Sequence, residues 1–381
     1  MFRHNMDRFG AGREGISRLA VGFVLVALFF GAGCHIDRKL DGKKKSTVRY
    51  TCNQNAHRIK RICNDEKEVL DWAAQYKKYP KLAELNTAVL KKIMLESKSV
   101  DKAAGVFYNR IINDPRNKAF LDYLDKRQGE LKTKLPNYAS RNIILAVAPG
   151  MFYKDNPNVG ADGRVVREIA RELGLKETVI PTEQTGTVER NGEIICEYLR
   201  GRKDVKGIIL ASTSKGSSDI KKALKQCGHE AWFKEKVRGW FSMGGIFRGS
   251  PMITAIHDNW RYRLEGRSYF CWNGYNYEGF KSIRAGDKMP LADPMTLPSS
   301  LLMVNIVPIP MFRLVVPRAR PFYEYLTKDG PNDGMSMLGD IYVPQAITYG
   351  SWRNDHYFRF PMYKYRMYAF ITYIVEKQFD A

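Results

Sequence analysis

Motifs for metals, nucleotides and nucleic acids are what this sequence lacks. No Cys-x-x-Cys pair or Cys/His spacing suits zinc, and no glycine-rich phosphate loop or dinucleotide fingerprint occurs, so no metal or cofactor is expected. Nothing reads as a zinc finger or a basic zipper. Histidine is scarce, six in 381 residues, so each candidate general base can be weighed individually. Acidic residues number 40 against 62 Lys and Arg, and the formal net charge of +22 favours anionic surroundings such as phospholipid headgroups, acidic envelope polymers or nucleic acid. No apolar run reaches the roughly 20 residues that cross a bilayer as a helix. Leu19–Ala32 is too short, and Leu301–Pro317 is interrupted by Asn305, Pro308, Pro310 and Arg313. Hydrophobic residues at 44% and aromatics at 12% exclude a wholly disordered chain.

The N-terminus has the grammar of a secretory signal. Arg3, Arg8, Arg13 and Arg18 precede the apolar run Leu19–Ala32, which ends in small residues before Cys34. Gly31-Ala32-Gly33-Cys34 resembles a bacterial lipobox, in which the cysteine is lipidated, although Gly31 stands where an aliphatic is usual. An exported, envelope-located and lipid-anchored protein is therefore expected, with an uncleaved signal anchor as the alternative. Export argues against a nucleic-acid partner. His35 is not the aspartate that resembles an inner-membrane retention signal, so the outer membrane or periplasm is the expected place. Cys52 and Cys63 could close a small loop in an oxidising compartment, whereas Cys196 and Cys227 read as small buried hydrophobes.

Four regions follow from composition: a signal over 1–34, a basic tether over 35–62, helical periodicity over 63–136, and an α/β domain over 137–381. The tether carries Lys43-Lys44-Lys45 and Arg58-Ile59-Lys60-Arg61 and can lie against an anionic membrane surface. In the last region buried-strand runs at Asn142–Ala148, Thr178–Pro181, Val205–Ala211, Val237–Met243 and Met303–Ile309 alternate with helices at Arg164–Leu173, Glu189–Arg200, Lys215–Gln226 and Tyr363–Lys377. That rhythm predicts a mostly parallel sheet flanked by helices. It breaks over about 257–300, where aromatics and glycines suggest a cap-like insertion. Tyr269, Phe270, Trp272, Tyr275, Tyr277 and Phe280 within it can line an acyl pocket or form the small core of the cap.

Gly207–Ala211 runs straight into Ser212-Thr213-Ser214-Lys215-Gly216 and then a helix. This is the spacing of a nucleophile elbow G-x-S-x-G with serine in place of the first glycine, and it marks Ser214 as candidate nucleophile. The Lys215 N–H, at the helix start, would face an oxyanion.

Residues from about 141 to 379 resemble the bacterial lipase/esterase-like branch of the α/β-hydrolase family. The carrying segments are Ala148-Pro149-Gly150-Met151-Phe152, Ser212–Gly216, Gly244–Pro251, Gly330-Pro331-Asn332-Asp333-Gly334 and Asn354-Asp355-His356. The resemblance implies an α/β-hydrolase fold and a Ser…Asp…His order. His356 is the histidine placed where that family carries its base; His4, His35, His57, His229 and His257 lie elsewhere. Asp333, in an Asp-Gly turn, becomes the candidate acid, with Asp340 and Asp355 as rivals, and Met151 or Phe152 would supply the second oxyanion N–H. The implied activity is hydrolysis of a small-molecule or lipid ester by a serine hydrolase. The alternative is a non-catalytic envelope lipoprotein binding anionic polymers on the same scaffold. Oligomeric state is not legible.

Overall fold

Short aliphatic runs build the centre of the molecule. Ile143–Ala148 (β1), Lys176–Val179 (β2), Gly207–Thr213 (β3), Val237–Met243 (β4), Leu302–Ile309 (β5) and Ile347–Trp352 (β6) form one sheet in the order β2-β1-β3-β4-β5-β6. Every pairing is parallel. The computed structural model describes residues 64–156, 160–358 and 364–380; the signal, Cys34, the tether, Cys52 and Cys63 lie outside the described residues. Because strand side chains alternate, each central strand feeds two cores. Ile144, Ile208, Leu210 and Trp240 enter one, with the helices Val188–Gly201 and Lys215–Cys227 near it. Leu145, Ile209, Phe241 and Val304 enter the other, against Ile169, Phe370 and Ile374 of the helices Arg164–Glu172 and Lys364–Gln378. This is the α/β-hydrolase fold, a parallel sheet covered on both faces.

Three strands differ from the sequence expectation by two residues or more, and one of them, β3, starts and ends two residues later than Val205–Ala211. β2 starts and ends two residues early, because Ile180 N–H donates the last bond to Val147 O (2.8 Å) and Pro181 has no N–H to continue. β6 carries no continuous aliphatic run and was not anticipated. The N-terminal helices complete it: Thr348 N–H donates to Asn117 Oδ1 (2.8 Å), and the Tyr108 ring packs on Trp352 at 4.9 Å. A sheet edge is thereby covered rather than left open.

Those helices, Asn64–Gln75, Thr87–Ser97, Val100–Asn113 and Pro115–Leu131, start where capping chemistry allows. Asn86, Ser99 and Asp114 each accept a backbone N–H of the first turn. Their buried side chains Leu90, Ile93, Val106, Phe107 and Ile111 share one continuous core with the sheet. Glu66, 1% exposed, fixes the first helix to the segment after β6. It accepts from Trp352 Nε1 (2.6 Å), Arg353 Nε (2.7 Å) and Arg353 Nη2 (2.9 Å).

The β4–β5 connection holds three helices, Pro251–Asp258, Trp260–Trp272 and Tyr277–Lys281, beginning ahead of the expected 257. Ser250 and Asn259 cap the first two. Ile253, Ile256, Phe270, Phe280, Ile283 and Leu291 give this cap its own core, whereas Trp272 faces solvent. Cys196 and Cys227 are buried, as their reading as small buried hydrophobes had it, but they are not two separate thiols. They form a disulfide with Cα atoms 6.1 Å apart, joining the helix Val188–Gly201 to the end of Lys215–Cys227. Cys271 is free and exposed.

Removing Glu66 would leave Arg353 without its carboxylate in a largely buried position. Glu66→Ala is therefore expected to destabilise the protein by about 3 kcal/mol, read as a lower urea midpoint at unchanged slope. An unchanged midpoint would show that the helix is held by apolar packing alone.

Candidate active site

The loops that follow β1, β3 and β6 at the carboxyl end of the sheet, together with one farther along after β5, carry the residues singled out by sequence. β3 ends at Thr213, and the chain turns into the helix Lys215–Cys227 through Ser214 alone, at φ 50° and ψ −120°. A non-glycine residue held there costs on the order of 1–3 kcal/mol and persists only if its surroundings over-determine it. They do. Ser214 N–H donates to Met243 O (3.1 Å), and its own carbonyl accepts from Ser217 N–H (3.1 Å) and Ile246 N–H (3.4 Å). Ser218 Oγ in turn donates to Ile246 O (2.6 Å), so the Gly244–Pro251 stretch forms a floor tied to the elbow. At Gly216 an added Cβ would sit 2.1 Å from the Ala148 carbonyl oxygen, so the helix start can press on the end of β1 only with glycine there. Ser212, in the place of the first glycine, is accommodated as a buried hydroxyl. It accepts from Trp240 Nε1 (2.8 Å) and pairs with Ser217 Oγ (2.8 Å).

Ser214 is only partly buried. Its Oγ lies 2.9 Å from His356 Nε2, and His356 Nδ1 lies 2.8 Å from Asp333 Oδ2. A carboxylate only accepts, so Nδ1–H donates to Asp333 and the Nε2 lone pair accepts the serine proton. The Asp333 side chain is fully buried and that of His356 is 7% exposed. The other Asp333 oxygen accepts from Met335 N–H (2.8 Å) and Ser336 N–H (2.7 Å), a local turn that aims Oδ2 at the histidine. His356 N–H also donates to Asp333 O (2.9 Å), fixing the two loops together. Burial alone would lower the His356 pKa. The Asp333 charge, its hydrogen bond and the Asp355 charge outweigh that, and the net direction is upward.

The rivals for the acid are engaged elsewhere. Asp355 accepts from Val316 N–H (2.8 Å) and Tyr357 N–H (3.0 Å), and burial raises its pKa. Asp340 lies in the short helix Leu338–Ile341, with no hydrogen bond to His356. After β1, Phe152 N–H donates to Gln184 O (3.3 Å) with φ at 59°, whereas Met151 N–H has no hydrogen-bond partner among the described residues. Of the two donors expected, Phe152 N–H is thus engaged and Met151 N–H is not. Gly150 lets this loop close on β3, since a Cβ there would meet Thr213 Oγ1 at 3.2 Å and Ala161 Cβ at 3.3 Å.

Sequence reasoning missed the supports. The Lys215 side chain is buried and reaches Asp219 Oδ1 (2.7 Å) and Oδ2 (2.9 Å), and Asn191 Nδ2 donates to Asp219 Oδ2 (2.9 Å). Burial pushes the Asp219 carboxyl up to about 6 against the pull of Lys215. The four-residue spacing of Lys215 and Asp219 on one helix was a visible signal. The Glu66–Arg353 pair, separated by 287 positions, left none.

No protein-family model and no curated protein matches the chain. Among solved structures it is similar to a metagenomic carboxyl esterase (19% identity, TM-score 0.49, 62% of this chain and 76% of that one). It is also similar to a lipase of Bacillus licheniformis in mature form (19%, 0.43, 64% and 93%) and to a carboxylesterase of Bacillus subtilis (10%, 0.32, 68% and 99%).

Two outcomes follow from the geometry. Gly216→Ala should destabilise by about 3 kcal/mol or more, because backbone, not a movable side chain, blocks the methyl group. The His356 imidazole should titrate by NMR above the ordinary value of about 6.5. In Asp333→Asn the raising charge is gone and burial dominates, so the midpoint should move below it; an unmoved midpoint contradicts the pairing.

Proposed function

We propose that the protein is an exported serine hydrolase that cleaves an ester-like acyl bond. The hydrogen-bonded line Ser214–His356–Asp333, with the serine on a strained strand-to-helix turn, carries this reading. As Ser214 Oγ bonds to the acyl carbon, its proton passes to His356 Nε2 and the carbonyl π pair moves onto oxygen. Asp333 holds the tautomer and stabilises the imidazolium. The N–H groups of Lys215 and Met151 receive the oxyanion. When the C–O bond breaks, His356 returns the proton to the leaving alcohol, and water repeats the sequence to free Ser214 and release the acid. The substrate is a small-molecule or lipid ester.

Export is supported by the sequence of residues 1–34 and by the Cys196–Cys227 disulfide, a bond that persists in oxidising compartments. The Cys34 lipobox and basic tether favour attachment to an anionic membrane surface in the envelope.

Hydrolysis of short-chain nitrophenyl esters provides the test. Ser214→Ala is expected to lower kcat by about 10⁴-fold or more and Asp333→Asn by about 10⁴-fold, both folded by circular dichroism. The acid limb of kcat/KM should lie above about pH 6.5, since His356 must lose its proton before it can accept one and its pKa is raised. Ser214→Ala with undiminished turnover refutes the reading. For the anchor, mass spectrometry of the mature N-terminus should find acylated Cys34; an intact Met1 refutes it.

A further inference from the structure

The helix Trp260–Trp272 buries one face and leaves another uncovered. Phe270 and Gly266 face the cap core, and Phe270 packs edge-on against Phe152 of the loop after β1, with ring centres 5.7 Å apart. On the outward side Trp260 is 65% exposed, Leu264 61% and Trp272 55%. Among the described residues only Leu95 and Val165 are comparably exposed large hydrophobics, and they lie on other helices. Trp260 and Leu264 are one turn apart, so they share a face, and Trp272, about 120° around the helix from Trp260, is exposed on the same outward half.

The charge on this helix is predominantly positive. The helix carries Arg261, Arg263 and Arg267 against Glu265, three positive and one negative, a net of +2. None of the three arginines pairs with a carboxylate among the described residues. Arg261 lies over the Trp260 ring at 5.6 Å, Arg267 over Tyr277 at 5.6 Å, and Arg263 donates only to the His257 carbonyl (3.5 Å). Tryptophans beside leucine, ringed by unpaired guanidinium groups, match the boundary where acyl chains meet anionic headgroups.

We propose that this face docks on the surface of an anionic phospholipid bilayer. It deepens the envelope reading without depending on the chemistry at Ser214. It is also distinct from the basic tether, because residues 1–63 contain no tryptophan. Docking through the outer face sets the bilayer one helix away from Phe152, so a lipid ester leaving the membrane meets the cap first.

The full chain is mixed with phosphatidylglycerol vesicles whose acyl chains are brominated, and tryptophan emission is recorded. Bromine quenches only indoles that reach the acyl region. The proposal expects quenching and a blue shift in the wild type, and loss of both in a Trp260→Phe, Trp272→Phe double variant. Leu264→Glu, which keeps both indoles, should lower the quenching severalfold, and brominated phosphatidylcholine should quench less than phosphatidylglycerol. Emission that phosphatidylglycerol leaves unchanged overturns the proposal. So does quenching that persists in the double variant. A wild-type dimer that Leu264→Glu converts to monomer with quenching unaltered also overturns it, since the patch then covers a second copy. Ester turnover in the same samples separates the two readings: turnover without quenching removes the docking face alone, and quenching without turnover supports it while refuting the hydrolase.

Discussion

The site depends on one backbone constraint, the left-handed turn at Ser214. Strand β3 and its following helix could be joined by a longer, relaxed loop, which would leave the hydroxyl without a fixed address. Here a single residue makes the junction at φ 50°, and the cost of that conformation is met by neighbours on three sides. Met243 receives its N–H, Ser217 and Ile246 donate to its carbonyl, and Gly216 rests on the Ala148 carbonyl. The same contacts bring the open N–H groups of the helix start against the loop that carries Met151. Backbone strain and the position of the Ser214 hydroxyl are thus one arrangement.

Asp333 illustrates how a turn former and a charged partner can be the same residue. One carboxylate oxygen closes the turn on Met335 and Ser336, and the other is left for His356. A buried carboxylate with both oxygens engaged carries its charge without an unpaired acceptor. The loop of His356 is held from a second direction by the N-terminal helices, since Arg353, three residues before His356, is gripped by Glu66. The segment that leads in from the tether therefore ends on the loop of the candidate base.

Much of this was legible because the relevant signals are local. The aliphatic runs of β1, β3, β4 and β5, the five-residue elbow, and the scarcity of histidine each act over a few positions. That is how Ser214 could be singled out, whereas His356 and Asp333 followed from the resemblance to the α/β-hydrolase family, before the 2.9 and 2.8 Å contacts were seen. What could not be read is non-local. β6 owes its place to Asn117 and Tyr108 from a distant helix, the 31-residue Cys196–Cys227 link needs two helices to pack first, and Glu66 meets Arg353 only in the folded chain. That Phe152 N–H is engaged by Gln184 O was likewise invisible in a motif.

The arrangement predicts that Ser214, among all the serines, is chemically activated. A fluorophosphonate reacts with a serine whose proton is removed as it attacks, and its phosphonyl group stays on that oxygen. Intact-mass analysis followed by peptide mapping should find one adduct per chain, located on Ser214 and absent in His356→Ala. A chain that remains unmodified, or an adduct mapped to any other residue, would contradict the account.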